Sequence, residues 1–274
     1  MNYIGGKYRL LSQILPLFPE RINTFVDMFA GGLDVSINVQ ANHIICNDIN
    51  HFVISMYQAM QNIELEELLQ IIHTTILDFN LSKTNRDGYV ALRNRYNFLR
   101  NPIDLFLLIC YGFNHQLRFN NNGDFNNPFG VNRSSYNDRI EQNLIAWYPK
   151  LRDMEFRAQN FHDLDLTHLA PGDFVYADPP YLISCGSYND GKRGFEGWSE
   201  TDDLDLFAIL DDLNNRNIHF ALSNVIEHKE LENAPLNDWR ANYNTHYLNA
   251  NYANSSYQFR NRETRTVEVL ITNY

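Results

Sequence analysis

Short apolar strands alternate with helical segments in two separate parts of this chain, and this alternation constrains the fold more than any other feature. Apolar runs bounded by turn residues predict strands, and apolar residues at helical spacing predict helices. The predicted strands cover 24–28, 43–48, 173–177, 218–223 and 264–272, and the predicted helices cover 33–41, 51–61, 64–79 and 202–214. Strands that alternate with helices form a mostly parallel sheet covered on both faces. We therefore expect an α/β fold.

The residues between these two parts have a different character and form an inserted element. Helices are predicted at 89–99 and 104–111, and the stretch 114–137 that follows is rich in Asn and Arg. Its centre is almost entirely Asn, Gly and Asp, which favour turns and disfavour a packed core. Arg118 and Arg133 are interleaved there with phenylalanines. Mixed aromatic and basic side chains suit bases and phosphates, although an ordinary solvated loop is the alternative.

The net charge of −11 is distributed unevenly along the chain. Residues 1–80 carry a net charge of −5, residues 81–160 carry +4 and residues 161–274 carry −10. A basic segment between acidic ones is expected where that segment contacts a polyanion and the remainder stays in solvent. A basic face that only contacts water is the alternative.

The composition excludes several classes of protein. With 44% apolar and 20% charged residues, the 274-residue chain has the composition of a soluble globular protein. The longest apolar run, at 105–113, is much shorter than the ~20 residues of a membrane helix, and the N-terminus lacks a signal-peptide core. We therefore expect a cytoplasmic protein with no membrane partner. Cys46, Cys110 and Cys185 fit no disulfide or zinc pattern, and the histidines show no metal-ligand spacing, so we expect reduced cysteines and no metal.

The most informative motif is an apolar strand, predicted at 173–177, that ends in Asp178, Pro179, Pro180 and Tyr181. Ligands of open α/β sheets bind beyond the carboxyl ends of the strands, which is where this motif lies. The prolines fix the turn and leave carbonyl oxygens free to accept hydrogen bonds. The Asp178 carboxylate and the Pro179 carbonyl can both accept from one amino group while Tyr181 stacks on the attached ring. The motif indicates a site for a planar amine, and a rigid turn without chemistry is the alternative.

Four segments in order along the chain resemble the Dam-type, or D12 class, DNA adenine N6-methyltransferases. They are the Gly-Gly-Lys opening at 3–8, the cofactor loop at 25–32, the recognition hairpin at 118–130 and the motif at 178–181. Met28 and Leu33 stand where the family usually has proline and another glycine. The resemblance implies a Rossmann-like S-adenosylmethionine-dependent methyltransferase fold. Residues 1–80 and 155–274 would form the catalytic domain, and residues 81–154 an inserted helical and hairpin domain for target recognition.

The resemblance also implies roles for individual residues. The cofactor would contact Tyr3, Lys7, Asp27, Phe29, Gly31, Asp48, Asp163 and Asp178, and the catalytic residues would be Asp178, Pro179, Pro180 and Tyr181. DNA recognition would rest on Arg118, Asn120, Asn126 and Pro128. Asp48 lies about 20 residues after the first strand, where an acid can bind ribose hydroxyls, although helix capping is its alternative role. Arg118 can contact guanine through two hydrogen bonds in the major groove, or clamp a phosphate instead.

The function expected from this resemblance is transfer of a methyl group from S-adenosylmethionine to N6 of an adenine that is flipped out of double-stranded DNA. GATC is the candidate recognition site, and S-adenosylhomocysteine is the expected product. A restriction endonuclease acting on the same site is an expected partner, and a monomer is the expected state. The alternatives are methylation of RNA adenine, protein glutamine or cytosine N4, and a catalytically silent module that binds DNA or senses the cofactor.

Overall fold

The computed structural model describes residues 6–183, 197–229, 231–249 and 266–274. The chain divides into two compact units. The helical unit comprises Met1–Gly6, Asn50–Ala158 and Asn189–Glu196, and the sheet unit comprises Lys7–Ile49, Gln159–Tyr188 and Gly197–Tyr274. The segments 25–32 and 178–181 therefore belong to the sheet unit, whereas the segment 118–130 belongs to the helical unit.

The described residues form strands and helices that alternate at both ends of the chain. The strands are β1 (Thr24–Asp27), β2 (His43–Asn47), β3 (Met154–Arg157), β4 (Phe174–Ala177), β5 (His219–His228), β6 (Leu231–Glu232), β7 (Asn244–Leu248) and β8 (Thr266–Thr272). The helices are α1 (Leu11–Ile14), α2 (His51–Gln61), α3 (Leu65–Asp78), α4 (Arg86–Leu99), α5 (Pro102–Tyr111), α6 (Asp138–Asp153), α7 (Glu200–Asn215) and α8 (Ala234–Trp239). None of the helices in this described part combines the length and apolar character needed to cross a membrane.

The sheet unit is built on a sheet with a parallel centre. Its strands follow the order β2-β1-β4-β5-β8-β7, and β6 pairs with β5. The strands β2, β1, β4 and β5 are parallel, whereas β8 runs antiparallel to β5 and β7. The chain passes from β1 to β2 on one side and returns to β4 on the other side of β1. A ligand crevice is expected at the carboxyl ends of β1 and β4, where the strand order reverses. The expected α/β fold is confirmed.

The central strands are apolar because both faces of the sheet are covered. Every residue of β4 is buried, and so is every residue of β1 after Thr24. Phe18, Phe25, Phe174 and Tyr176 pack around these strands with ring centroids 4.7 to 6.5 Å apart. Parallel strands covered in this way appear in the sequence as continuous apolar runs rather than alternating ones. This packing therefore fixes the carboxyl ends of β1 and β4, which border the expected crevice.

The prediction of a helix at 33–41 is wrong, because this segment forms turns. Leu33 has a positive φ of 60°, a left-handed conformation that interrupts a right-handed helix. The Ser36 hydroxyl donates to the Asp27 carboxylate at 2.5 Å. This hydrogen bond ties the segment to the end of β1, so the chain turns there instead of continuing as a helix.

The other predicted elements are confirmed with shifted ends. Asn50 caps α2 by accepting a hydrogen bond from the N–H of Phe52, as expected for its position. The strand predicted at 218–223 continues as β5 to His228, and α6, capped by Asn137, was not predicted. Cys46 and Cys110 are buried, as expected for packing residues, and Cys185 lies outside the described residues.

The Asn-rich stretch of the helical unit is packed, contrary to the expectation from its composition. Phe119 and Phe125 form a bridge between two short antiparallel segments, and each is 1% exposed. The Phe119 ring lies 4.8 Å from that of Phe52, and the Phe125 ring lies 6.2 Å from that of Tyr96. These two phenylalanines are therefore part of the core of the helical unit, and their rings are not available for stacking on bases.

Candidate active site

Four titratable side chains form a cluster near the carboxyl end of β4: Lys7, Asp178, Tyr181 and Glu268. The Lys7 ammonium lies 2.8 Å from Asp178 Oδ2 and 3.5 Å from Glu268 Oε1. The Tyr181 hydroxyl lies 2.8 Å from Asp178 Oδ1 and 3.2 Å from Glu268 Oε1. Lys7 Nζ also lies 5.0 Å from the centre of the Tyr181 ring. Each carboxylate therefore contacts both the ammonium and the phenol.

The strands explain why these side chains meet. β4 ends at Ala177, so its buried run places Asp178 directly at the edge of the sheet, where the carboxylate is 16% exposed. Glu268 lies inside β8 and is 1% exposed. Lys7, Asp178 and Tyr181 were predicted for the site and are brought together, whereas Glu268 was missed. The signal that could have revealed it is a single carboxylate within an otherwise apolar terminal strand.

Burial and mutual attraction set the pKa values in this cluster. Burial acts to lower the pKa of the Lys7 ammonium, but the negative charges of Asp178 and Glu268 outweigh it and raise that pKa. Burial raises the pKa of the Asp178 carboxyl, and the Lys7 charge and the Tyr181 hydrogen bond only partly oppose the shift. Burial also raises the pKa of the Tyr181 hydroxyl. Lys7 is therefore cationic at neutral pH, and Tyr181 is a hydrogen-bond donor.

Three predicted cofactor residues lie near the carboxyl ends of β1 and β2: Asp27 ends β1, Gly31 is in the loop after β1, and Asp48 follows β2. Burial raises the pKa of Asp27 to about 7; the Ser36 hydrogen bond opposes this shift and the charge of Asp178 adds to it. Asp48, directly after β2, accepts a hydrogen bond of 2.9 Å from the N–H of Gly31. Gly31 has a φ of 44°, which glycine adopts without strain. Asp48 therefore shapes the loop, and its contact with ribose stays a prediction.

Three aromatic side chains form a second group in the sheet unit. The rings of Phe29, Phe161 and Trp198 have centroids 5.4 to 5.6 Å apart in each pair. The Trp198 indole N–H donates to the buried Asp203 carboxylate at 2.7 Å. Phe29 was predicted, whereas Trp198 was missed because a tryptophan before a helix has no specific sequence signal. Asp163 ends the short helical turn that begins at Phe161 and is exposed.

The chemistry of these residues fits S-adenosylmethionine. A glycine turn with an acid beside it suits the ribose, aromatic faces suit the adenine ring, and carboxylates suit the positively charged sulfonium. Tyr3, the remaining predicted cofactor residue, lies outside the described residues. Within the described part of the chain, no group of three or more His, Cys, Asp or Glu side chains could hold a metal ion.

The predicted DNA-recognition residues all lie in one loop of the helical unit. Arg118 and Pro128 are exposed. Asn120 is used inside the loop, because its Oδ1 accepts from the N–H groups of Asn122 and Asp124 and its amide donates to Asp124 Oδ2. Asn126 Oδ1 is buried without a hydrogen-bond partner. Arg118 is therefore the member of the set best able to reach a ligand.

A salt bridge that the sequence did not predict anchors this loop to α4. Arg100 follows α4 in the left-handed conformation, with a φ of 57°. Its guanidinium lies 2.7 Å from the Gly123 carbonyl oxygen and 2.8 Å from Asp124 Oδ1. Asn97 of α4 accepts from the N–H of Phe125 and donates to its carbonyl. The loop is thus attached to α4 and Arg100 through residues 123–125. Five further basic residues of the sequence are candidates for DNA contact but lie outside the described residues: Lys192, Arg193, Arg260, Arg262 and Arg265.

Comparison with known proteins gives one family and several relatives. The family model for the D12 class N6 adenine-specific DNA methyltransferase matches residues 3–254. The chain is 47% identical over 276 residues to the type II methyltransferase M.FokI of Planomicrobium okeanokoites, covering 100% of this chain and 42% of that protein. It is 48% identical over 278 residues to the modification methylase StsI of Streptococcus sanguinis, again covering 100% of this chain and 42% of the relative.

A more distant relative covers most of both chains. The DNA adenine methylase of Salmonella typhi is 28% identical over 229 residues, which are 82% of this chain and 79% of that protein. The chain thus spans 42% of the length of M.FokI and of StsI but resembles a shorter methylase over most of its length.

Proposed function

We propose a function for this chain from one premise: it belongs to the D12 class of N6 adenine-specific DNA methyltransferases. The proposed reaction transfers a methyl group from S-adenosylmethionine to N6 of an adenine in duplex DNA. One observation carries the proposal: the Asp178 carboxylate is held by Lys7 and Tyr181 at the carboxyl end of a buried parallel strand. An acceptor fixed in this position suits an amine whose lone pair must be aimed at an electrophile.

Three residues of the motif, Asp178, Pro179 and Tyr181, have proposed tasks in contact with the adenine. The adenine leaves the duplex and stacks on Tyr181, while Asp178 and the Pro179 carbonyl accept hydrogen bonds from its amino group. These hydrogen bonds draw the N6 lone pair out of conjugation with the ring. S-Adenosylmethionine, when bound, supplies the electrophilic methyl group. Lys7 and Tyr181 already orient the carboxylate before the substrate arrives, so little reorganisation is needed at the moment of reaction.

The loop around Arg118 is the proposed reader of the DNA sequence. Its guanidinium is exposed, and an arginine can contact guanine through two hydrogen bonds. GATC stays the candidate site, on the resemblance of this segment alone. Asn120 shapes the loop through its hydrogen bonds with Asn122 and Asp124, and its contact with DNA stays a prediction.

A restriction–modification role is proposed from the relatives, two of which are named as a type II methyltransferase and a modification methylase. A chain with this role protects a short DNA site against an endonuclease that cuts the same site. The modification must then be confined to that site and occur at nearly every copy of it.

The proposed function is tested by mapping modified bases. The purified chain is incubated with S-adenosylmethionine and unmodified mixed-sequence duplex DNA, and the modified adenines are located by single-molecule sequencing. We expect modification within one short motif. Modified cytosine, or no modification of DNA by a chain that binds the cofactor, contradicts the proposal.

A further inference from the structure

Arg100, directly after α4, has a backbone conformation that an arginine does not favour. Its φ of 57° and ψ of 31° lie in the left-handed region, where the residue after a helix is usually glycine because a Cβ is strained there. Its N–H donates to the Tyr96 carbonyl oxygen at 2.7 Å and completes the end of the helix. A glycine would make this backbone contact with less strain. The backbone alone therefore does not explain an arginine at this position.

The Arg100 guanidinium binds the turn of the loop that carries Arg118. One of its nitrogens donates to the Gly123 carbonyl oxygen at 2.7 Å, and another donates to Asp124 Oδ1 at 2.8 Å. The side chains of Arg100 and Asp124 are 36% and 38% exposed, and an ion pair exposed to this extent contributes little to the stability of a fold. Strained backbone that stability does not explain is typical of functional sites.

Hydrogen bonds continue from this ion pair to the backbone of Arg118. Asp124 Oδ2 accepts from the Asn120 amide, and the Asp124 carbonyl oxygen accepts from the Asn120 N–H at 2.8 Å. Two residues away on each side of this pair, the Arg118 carbonyl oxygen accepts from the N–H of Asn126 at 2.9 Å. The backbone that carries Arg118 is therefore attached to Arg100 through a continuous series of hydrogen bonds.

A fixed backbone is important for reading a base. A guanidinium makes two hydrogen bonds to guanine in one specific geometry, whereas its contacts with phosphates carry no sequence information. A loop that is held in place before DNA binds can keep an arginine in that geometry, and it loses less conformational freedom on binding. Holding the loop is therefore expected to affect discrimination between bases more than attraction to DNA.

We propose that Arg100 is a positioning residue for DNA sequence discrimination, which acts by holding Arg118 in the orientation that reads one base pair. This inference rests on the proposed function, because it assumes that the loop around Arg118 reads the DNA sequence. Arg100 acts through its hydrogen bonds to the loop and not through a contact of its own with a base.

The test measures kcat/KM for methylation of duplexes that carry the site mapped with the wild type, or that site with single base-pair substitutions. Arg100→Gly removes the side chain and relieves the strained backbone, whereas Arg100→Ala removes the side chain and keeps the strain. We expect both variants to lose about tenfold in discrimination, at the same base pair as Arg118→Ala. We expect Arg100→Gly to have the higher melting temperature of the two, so that discrimination does not follow stability.

Further variants separate this role from attraction between Arg100 and phosphates. Asp124→Asn keeps the Arg100 charge but places an N–H₂ group against one of the two side chains that donate to it, so we expect it to lose discrimination at the same base pair. The double variant Arg100→Gly/Arg118→Ala is expected to discriminate no worse than Arg118→Ala alone. Arg152→Ala, which breaks an exposed ion pair of 2.8 Å with Glu64 in the same unit, is the control and is expected to discriminate as the wild type does.

The outcomes that overturn the inference are distinct from those that overturn the proposed function. Unchanged discrimination in Arg100→Gly, or discrimination that follows the melting temperatures of the variants, overturns the inference. An equal loss at every base pair in Arg100→Gly that Asp124→Asn does not share indicates a phosphate contact and also overturns it. Methylation by the wild type that is confined to no site, or no methylation of DNA, overturns the proposed function and the inference with it.

Discussion

Asp178 has both carboxylate oxygens occupied by donors, Lys7 on one and Tyr181 on the other. These contacts hold the carboxylate in one orientation at the edge of the sheet. A hydrogen-bond acceptor fixed in advance is more effective in catalysis than one that must be oriented by the substrate. The proposed chemistry therefore depends on how Lys7 and Tyr181 orient this one carboxylate.

The first prediction concerns the charge of Asp178. Asp178→Asn keeps the shape but loses the ion pair with Lys7 and places an amide N–H₂ towards one of its two donors. We expect kcat for DNA methylation to fall by about 10²–10³-fold, the usual cost of losing one fixed electrostatic contact. Steady-state methylation of a duplex measures this. Asp212→Asn, at an exposed aspartate paired with Arg216, is the matched control, and a similar loss in both variants contradicts the account.

The second prediction concerns stability and the buried Asp27. Its pKa of about 7 in the folded protein lies above the value of about 3.9 expected for an unfolded chain. The folded state therefore holds a proton that the unfolded state has lost, and stability is fully present below about pH 4 and declines as the pH rises through 7.

Chemical denaturation at several pH values tests this prediction. Asp27→Asn has no titrating group at this position. Between pH 4 and 7, the unfolding free energy of the wild type is expected to fall, relative to Asp27→Asn, by an amount on the order of 4 kcal/mol. Parallel pH profiles of the two proteins would show that folding does not raise the pKa of Asp27, and would contradict this prediction.

Sequence reasoning succeeded for some residues of the site and failed for others for a physical reason. Asp178 and Tyr181 stand at the end of an apolar strand, and a strand end is visible in the sequence. Glu268 reaches the same cluster from β8, and only the pairing of β8 with β5 brings it there. Long-range pairing of this kind leaves no local pattern. Trp198 was missed for the same reason, since its contacts with Phe29 and Phe161 join distant parts of the chain.

At the scale of elements, buried strands and capped helices were the most predictable features. β1, β2 and β4 are continuous apolar runs, and Asn50 marks the start of α2. The segment 33–41 was mistaken for a helix because its apolar spacing resembles one, whereas Leu33 and Ser36 impose a turn. α6 was overlooked although its buried residues Leu144, Tyr148 and Leu151 have helical spacing, because Pro149 lies inside it.

The third prediction concerns the loop that carries Arg118. If Arg118 contacts guanine, Arg118→Ala loses about 1–3 kcal/mol of discrimination at one base pair and leaves other positions unchanged. Methylation of a set of duplexes with single substitutions in the site measures this. Arg139→Ala, at an exposed arginine of α6, is the control. A uniform loss across all sites in Arg118→Ala would instead indicate a phosphate clamp.

At the scale of the whole molecule, the strand order determines where a ligand is expected to bind, and the charge distribution determines where DNA is expected to bind. The sheet unit places Asp27 and Asp178 at the reversal of strand order, where ligands of α/β sheets bind. The chain has a net charge of −11, and residues 81–160 carry +4. DNA is therefore expected to contact a limited basic surface and to be repelled by the rest.

The fourth prediction follows from this charge distribution. Binding to DNA through phosphates releases counterions, so the logarithm of the affinity falls linearly with the logarithm of salt concentration, by about 0.9 for each phosphate neutralised. We expect a slope of at least about −2 in fluorescence anisotropy titrations with a duplex. A slope near zero would show that phosphates contribute little and would contradict a role for the basic segment.

The central claim is that this chain methylates N6 of adenine through the cluster around Asp178. The most direct measurement is nucleoside mass spectrometry after incubation with methyl-labelled S-adenosylmethionine and either duplex DNA, single-stranded RNA or a protein mixture. The account predicts labelled N6-methyladenine from duplex DNA, and at least about 100-fold slower labelling in parallel reactions with Asp178→Asn at matched cofactor occupancy. Labelled N4-methylcytosine, label confined to RNA or protein, or undiminished N6-methyladenine with Asp178→Asn would contradict it.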